Sequence, residues 1–313
     1  MTIAYYSHAD CRAHFMGRGH PECPERLDAI ADHLIATGLA AALDWREPPL
    51  ATDEQLARAH STAHVAELRA AMQPLAQSGE HLQIDPDTRA GPGSWQAALR
   101  AAGAAVAATD AVIDGDAATA FCAVRPPGHH AERGAAMGFC FFNNVAVAAR
   151  HALDVRGLER VAVIDFDVHH GNGTEDIVAG DERMLMASFF QHPLYPYSGA
   201  VPKGENMVNV PIPPYARGPQ VREAIEALWL PRLEEFKPQM LFVSAGFDAH
   251  REDDLGQLGL VEDDYAWITR QLVAVARRHA QGRIVSCLEG GYNLGALARS
   301  VAAHLRVLGD LDG

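Results

Sequence analysis

Four short apolar runs of this chain end in polar side chains that can do chemistry. The runs are rich in Val, Ile and Phe and are bounded by Gly and Pro, which is typical of buried strands in a parallel sheet. Because ligands of open α/β sheets bind beyond the carboxyl ends of the strands, we expect the four ends to share one rim. The ends are R-P-P-G-His129-His130, Asp165-F-Asp167-V-His169, S-A-G-F-Asp248 and E-G-G-Tyr292. Their combination predicts a hydrolytic metal site.

Strands and helices alternate along most of the sequence. Strands are expected at Ile3 to Tyr6 and near 119–124, 160–165, 184–188, 239–244 and 283–287. Helices are expected near 24–38, 61–81, 94–113, 142–152, 174–179, 218–235, 262–280 and 294–308. This alternation predicts the α/β class, with a parallel sheet between helices. No internal repeat or linker-like stretch divides the sequence, so we expect a single domain over residues 1–313.

Charge and composition argue against several classes of protein. The formal net charge is −14 without a basic run, so direct nucleic-acid binding is not expected. The acidic balance either favours a cationic ligand, such as a lysine-rich peptide or a polyamine, or only keeps the protein soluble. Neither a membrane-spanning stretch nor a secretory signal is visible. Five cysteines without a C-x-x-C pair fit a reducing, cytoplasmic compartment.

The second run carries the strongest metal signal. Asp165, Asp167 and His169 are spaced at i, i+2 and i+4, so they point to one face of an extended chain. Burying two carboxylates together is unfavourable unless a cation compensates them. We therefore expect Asp167, His169 and Asp248 to bind a metal, with room left for water and a substrate oxygen. Zn²⁺ fits this donor set best, and Fe²⁺ or Co²⁺ are alternatives.

Proton transfer is expected from the two adjacent histidines. We expect Asp165 to pair with His129, which would raise the pKa of this histidine and define its tautomer. Asn172 is expected to hold His130 without adding charge, which leaves the pKa of His130 nearer neutral and makes it the better general base. Two glycines before Tyr292 allow a tight turn, and its hydroxyl can donate to a developing oxyanion.

These motifs resemble those of the zinc-dependent histone deacetylase superfamily, which includes acetylpolyamine amidohydrolases and acetoin-utilisation proteins. The matching motifs are R-P-P-G-H-H, D-F-D-V-H-H-G-N-G-T, S-A-G-F-D-A-H and E-G-G-Y-N-L, with H-P-E-C-P-E-R-L at 20–27 and G-F-C-F-F-N-N at 138–144. The resemblance implies the arginase-deacetylase fold, a single domain whose parallel sheet of eight strands lies between helices. It also implies a metal-dependent hydrolase that acts on linear amide C–N bonds.

The resemblance assigns the same roles to the metal ligands, the histidine pair and Tyr292. It further implies a structural K⁺ ion bound by Asp165, Asp167, His169, Ser188 and Phe189. Substrate would lie in a tunnel with Gly138 and Phe139 on one wall and either Tyr195 or Tyr197 on the other. Asp87 would grip the substrate backbone at the rim. Arg26 matches an arginine of an internal product channel, or is simply a first-turn helix residue.

Two departures from the family pattern bear on the substrate. Asn172 stands where the best-studied branch has aspartate, which is usual for the class II branch. Leu255, in the lid segment 253–257, stands where one polyamine-selective branch has glutamate, which argues against polyamine selectivity. The sequence therefore favours removal of acetyl or another short acyl group from acyl-lysine or another acylated amine.

Three alternatives stay open. An acetylpolyamine amidohydrolase shares all the core motifs, and a non-catalytic acyl-ligand binding or scaffold protein would share the fold. A two-metal ureohydrolase would need a further D-x-D, whereas the late motif here is Asp248-Ala-His250. The physiological substrate, the acyl chain, the native metal and the oligomeric state are not determined by the sequence. A homo-oligomer would narrow the tunnel through the rim loops 14–24, 81–93 and 190–206.

Overall fold

The computed structural model describes residues 2–311, and both ends of the expected domain, Met1 and Gly313, lie outside this range. Eight strands form one parallel sheet in the order β2-β1-β5-β10-β9-β6-β7-β8. They are β1 (Ile3–Tyr6), β2 (Leu43–Arg46), β5 (Thr119–Cys122), β6 (Val161–Asp165), β7 (Met184–Gln191), β8 (Met207–Ile212), β9 (Leu241–Ala245) and β10 (Ile284–Leu288). The short β3 (Leu82–Gln83) and β4 (Arg89–Ala90) form a separate antiparallel pair. The expected single α/β domain with an eight-stranded parallel sheet is confirmed.

Helices flank the sheet. In chain order they are α1 (Ala9–Ala13), α2 (Glu25–Ala36), α3 (Asp53–Leu56), α4 (Thr62–Met72), α5 (Leu75–Ser78), α6 (Ser94–Asp114), α7 (Asn144–Asp154), α8 (Asn172–Val178), α9 (Gly218–Ala224), α10 (Leu230–Phe236), α11 (Glu262–His279) and α12 (Leu294–Leu308). A 3₁₀ turn covers Leu39–Ala42, and a π-helical turn covers Ile225–Trp229. Helices α6 and α7 pack on each other, and α12 packs on α2 and α11. None of the helices within residues 2–311 has the length and apolar character that crossing a membrane requires.

The composition of the central strands explains why they could be predicted from the sequence. Every residue of β1, β5, β6, β7, β9 and β10 is buried. A strand covered on both faces can be apolar throughout, and such runs are easily recognised in a sequence. All six strands expected from the sequence are therefore present.

The sequence interpretation missed the short β3 and β4 and, within the eight-stranded sheet, the two edge strands. The edge strand β2 reads L-D-W-R, and Trp45 is exposed. The opposite edge strand β8 contains Asn209 and the exposed Pro211. Partly solvated edges tolerate polar residues and proline, so neither strand shows an apolar run.

One expected helix is divided in two. The expected helix over 61–81 ends at Met72, and a second short helix begins after Pro74. Proline lacks the N–H that would continue the hydrogen-bond ladder, so the helix breaks before it. Further along, the expected helix over 218–235 forms as α9, the π-helical turn and α10 in direct succession.

Candidate active site

The order of the strands in the sheet brings the expected site residues to one edge. Strands β5, β10, β9, β6 and β7 are consecutive neighbours in the sheet, although they are not consecutive in the chain. Because all five are parallel, the segments that follow them leave from the same edge. These segments carry His129 and His130 after β5, Tyr292 after β10, Asp248 after β9, Asp167 and His169 after β6, and Tyr195 after β7.

Asp167, His169 and Asp248 form the centre of this edge. Their potential metal-binding atoms all lie within 4.8 Å of one another. The Nδ1 atom of His169 is 3.0 Å from Asp167 Oδ1 and 3.1 Å from Asp248 Oδ2. Both carboxylates are fully buried. Two carboxylates and an imidazole are donors that suit Zn²⁺, so the residues present fit a divalent ion.

Two glycines make room for the carboxylate pair. A Cβ atom at Gly290 would lie 2.0 Å from Asp248 Oδ2 and 2.6 Å from Asp167 Oδ2. A Cβ atom at Gly246 would lie 2.0 Å from Asp167 Oδ2. Instead, the N–H of Gly290 donates to Asp167 Oδ2 at 2.8 Å. Only glycine lets the backbone approach these oxygens so closely.

The pKa values of the two carboxyls move in opposite directions. Burial and the neighbouring Asp167 raise the pKa of Asp248 to about 7. Burial also opposes ionisation of Asp167, but the charges of His129 and His169 outweigh it and hold its pKa below the ordinary value. Two adjacent buried carboxylates do not both ionise readily, which is the situation that a bound cation relieves.

The histidine pair has two different partners. His129 Nδ1 donates to Asp165 Oδ2 at 3.0 Å, and His130 Nδ1 lies 2.7 Å from Asn172 Oδ1. Burial opposes protonation of His129, but Asp167 and Asp165 outweigh it and raise its pKa well above the ordinary value. Burial lowers the pKa of His130 well below the ordinary value, and the charge of His129 adds to this shift. His129 therefore holds a proton more readily than His130 does.

Two glutamates that the sequence interpretation overlooked support this pair. Asn172 Nδ2 donates to Glu132 Oε1 at 2.9 Å, which orients the amide so that its oxygen faces His130. Glu289 Oε2 accepts the N–H of Gly128 at 2.6 Å and that of His129 at 3.1 Å. Glu289 belongs to the E-G-G-Y motif already singled out, and Glu132 lies two residues after the R-P-P-G-H-H motif. Their partners are distant in the chain, so the motifs alone do not reveal the contacts.

Tyr292 faces the same centre from β10. Its ring meets Phe139 edge-on at 6.0 Å, and the Arg26 guanidinium lies 5.0 Å from the ring centroid. Arg26 is fully buried, and its Nε donates to the carbonyl of Gly291 at 2.7 Å. Burial and the nearby Asp248 raise the pKa of Tyr292 well above the ordinary value. The phenol therefore keeps its proton and can act as a donor.

Of the two tyrosines considered for the tunnel wall, Tyr195 faces the site. Its ring lies 5.3 Å from that of His130 and 6.3 Å from that of His169. Tyr197 is 74% exposed, so it does not line a buried passage. Gly138 lies against His130, because a Cβ atom there would be 2.5 Å from His130 Cδ2. Close approach of the backbone again requires glycine.

The other expected site residues differ in their surroundings. Asp165 and Ser188 are register partners on β6 and β7, and Phe189 follows Ser188 as a buried residue. Asp87 is exposed in a turn, where its N–H donates to Asp85 Oδ1 at 2.8 Å. Leu255 is half-buried beside Asp253, which accepts its N–H at 3.1 Å.

A family model described as a histone deacetylase domain matches residues 20–308. The chain belongs to the histone deacetylase family. This family member is 41% identical over 282 residues to a histone deacetylase-like amidohydrolase of Pseudomonas aeruginosa. The alignment covers 88% of this chain and 73% of that protein. The chain is 36% identical over 306 residues to a polyamine deacetylase of Mus musculus, and this alignment covers 92% of this chain and 44% of that protein.

A solved crystal structure has the same fold. The HDA15 HD domain matches this deacetylase family chain with a TM-score of 0.90 and 31% sequence identity. The match covers 100% of this chain and 91% of that one. The arginase-deacetylase fold expected from the motifs is therefore confirmed.

Proposed function

We propose that this histone deacetylase family member is a metal-dependent amidohydrolase. It removes acetyl or another short acyl group from acylated amines, with acyl-lysine as the preferred class. The observation that carries this proposal is the convergence of one metal-donor group, a histidine pair with different hydrogen-bond partners and opposite pKa shifts, and a phenol whose pKa is raised. A non-catalytic binding protein has no need for a general base beside a phenol donor.

The proposed metal ligands are Asp167, His169 and Asp248, with Zn²⁺ favoured over Fe²⁺ or Co²⁺. When bound, the ion supplies Lewis acidity toward an acyl carbonyl and toward the attacking water. Within residues 2–311 this is one group of three donors, which does not support a two-metal ureohydrolase. A structural K⁺ is proposed at the neighbouring edge, where Asp165 and Ser188 are register partners. Its other proposed ligands are the carbonyls of Asp167, His169 and Phe189.

The chain's own residues divide the proton transfers between them. His130 donates through Nδ1 to Asn172, so its Nε2 is free to accept a proton from the attacking water. The Tyr292 hydroxyl donates to the acyl oxygen as negative charge develops there. A protonated histidine then gives a proton to the leaving amine, and the raised pKa of His129 favours its charged form. Carboxylate and free amine are the products.

The walls of the tunnel suit a flat acylated side chain. Phe139 contacts Tyr292 on one side, and Tyr195 contacts His130 on the other. Two aromatic walls exclude water from the reacting amide, which strengthens the electrostatic contacts inside.

Acetylpolyamine hydrolysis is the second candidate. The pKa of Tyr195 is raised by burial and by the nearby carboxyl groups of Asp85, Asp87 and Glu132, so several negative charges lie around this wall. They would attract a cationic substrate. The polyamine deacetylase among the relatives supports this candidate, whereas the apolar Leu255 argues against it.

Acetate release by the zinc-loaded protein tests both candidates. We expect kcat/KM to be higher for acetyl-lysine peptides than for acetylpolyamines. A preference of about a hundredfold for polyamines, equivalent to two decades in the specificity constant, would establish the second candidate instead. Tight binding of acyl-lysine without turnover would favour an acyl-ligand binding or scaffold protein.

Metal removal is expected to abolish turnover and to lower Tm. A ligand that binds only the folded state stabilises it, and here it also compensates the buried Asp167 and Asp248. Acetate release and thermal unfolding should be measured before and after chelation, and again after Zn²⁺ is added back. The variant Asp248→Asn should not regain Tm or activity on Zn²⁺ addition. Full activity of the metal-free protein would contradict the proposal.

We propose a cytoplasmic location and no direct contact with nucleic acid or membrane. All five cysteines are unpaired, which supports a reducing compartment. The chain carries a formal net charge of −14, which disfavours phosphate backbones.

A further inference from the structure

The segment that carries Tyr292 has little stiffness of its own. Gly290 and Gly291 precede the tyrosine, and Gly291 has a φ of +117°, which side-chain-bearing residues rarely adopt. The position of the phenol therefore depends on groups that hold this backbone from outside. Arg26 holds it on the carbonyl side, through the carbonyls of Glu289 and Gly291.

Asp253 holds the same segment on the N–H side. Its Oδ2 accepts the N–H of Tyr292 at 2.6 Å and the N–H of Asn293 at 2.9 Å. Its Oδ1 accepts the N–H of Leu255 at 3.1 Å. The residue is only 6% exposed. One buried carboxylate thus joins the lid segment 253–257 to the backbone of Tyr292.

The surroundings suit a charged acceptor at this position. Helix α12 begins at Leu294, directly after Asn293, and a helix N-terminus favours negative charge. Hydrogen bonds from N–H groups to a carboxylate are stronger than those to a neutral acceptor. An amide in place of the carboxylate has one acceptor oxygen, so it cannot accept on both sides. The three hydrogen bonds therefore require the carboxylate of an aspartate, and an asparagine of similar size would not preserve them all.

We propose that Asp253 is a positioning residue for Tyr292 and ties the placement of the phenol to the lid segment. The inference rests on the proposed function, in which Tyr292 donates to the acyl oxygen. Asp253 affects the chemical step through Tyr292, so its effect on kcat depends on the phenol hydroxyl, whereas its contact with Leu255 concerns the lid segment. Substrate affinity depends less on it, because Asp253 does not line the aromatic walls.

A double-mutant cycle tests this dependence. Asp253→Asn is expected to lower kcat by about tenfold to a hundredfold, since misplacing a reacting group by about an ångström has effects of this size. KM and bound zinc should stay close to wild type. In a Tyr292→Phe background, the same substitution should lower kcat by less than about threefold, because coupled residues are not additive. Asp263, which is exposed in the first turn of α11, offers a matched control outside the lid segment, and Asp263→Asn should leave kcat unchanged.

The outcomes separate this inference from the proposed function. If wild type turns over acylated amines and the two substitutions multiply independently, Asp253 does not act through Tyr292 and the inference is wrong. If wild type turns over no acylated amine, the proposed function is wrong. A crystal structure of Asp253→Asn gives a readout without turnover, and we expect residues 290–293 to be displaced. An undisplaced segment would overturn the inference. We choose Asp253→Asn for the test because it keeps the size of the side chain, whereas Asp253→Ala would leave a buried space and could fail to fold.

Discussion

Replacing Tyr292 by phenylalanine is expected to lower kcat by about a hundredfold to a thousandfold, the usual effect of losing one oxyanion donor. The phenol is kept protonated, because burial and then Asp248 raise its pKa well above the ordinary value. The ring would remain between Phe139 and Arg26, since both contacts involve the ring rather than the hydroxyl. The substitution therefore removes a donor with little change in packing.

Steady-state kinetics and zinc content measure this effect together. Zinc content should match wild type, because Tyr292 is not among the proposed ligands. Tyr197→Phe is a suitable control, since Tyr197 is a rim tyrosine with 74% of its surface exposed. Its kcat should be unchanged. Near-normal turnover by Tyr292→Phe would remove Tyr292 from the mechanism.

Replacing His130 by alanine is expected to lower kcat/KM by about a hundredfold to ten-thousandfold, the usual contribution of a general base. His130 is suited to this role because its pKa is lowered by burial and by the charge of His129. A base with a lowered pKa stays unprotonated to lower pH. The wild-type rate should therefore persist below the ordinary histidine pKa of about 6.5 before it falls.

The pH profile distinguishes loss of the base from general damage. In the wild-type pH profile, protonation of His130 should make the rate fall at low pH, which is the acid limb. This acid limb should be missing from the pH profile of the residual rate of His130→Ala. Asn172→Ala should cause a smaller loss than His130→Ala, because the imidazole remains and only its orientation weakens. If His130→Ala keeps the wild-type rate and acid limb, another group is the base. Thermal unfolding of both variants shows whether the fold is retained.

Local sequence patterns were sufficient to predict the central strands of the sheet and the residues that lie at their carboxyl ends. Val161–Asp165 is buried on both faces, and a strand of this kind is apolar whatever lies beside it. The motifs after β5, β6, β9 and β10 could therefore be assigned to one rim before any strand order was known. The pairings of His129 with Asp165 and of His130 with Asn172 were also expected from the chemistry of these groups. The structure brings both pairs together.

The choice between Tyr195 and Tyr197 could not be made from the sequence. They are two residues apart in a loop, where no periodicity relates a side chain to a face. The structure turns Tyr195 toward His130 and leaves Tyr197 exposed. Edge strands such as β2 were missed for a related reason, since solvent on one side permits the polar residues of L-D-W-R.

The sequence by itself was sufficient to predict the buried parallel strands, the proposed metal donors and the proposed reactive residues, because each depends on side-chain chemistry and short spacing. Only the tertiary structure revealed the further distant groups that hold those residues in place, beyond the two expected partners of the histidine pair. Asp253 and Tyr292 are 39 positions apart, and Glu132 and Asn172 are 40 apart. Such contacts depend on how strands far apart in the chain become neighbours in the sheet, and no local pattern records that order.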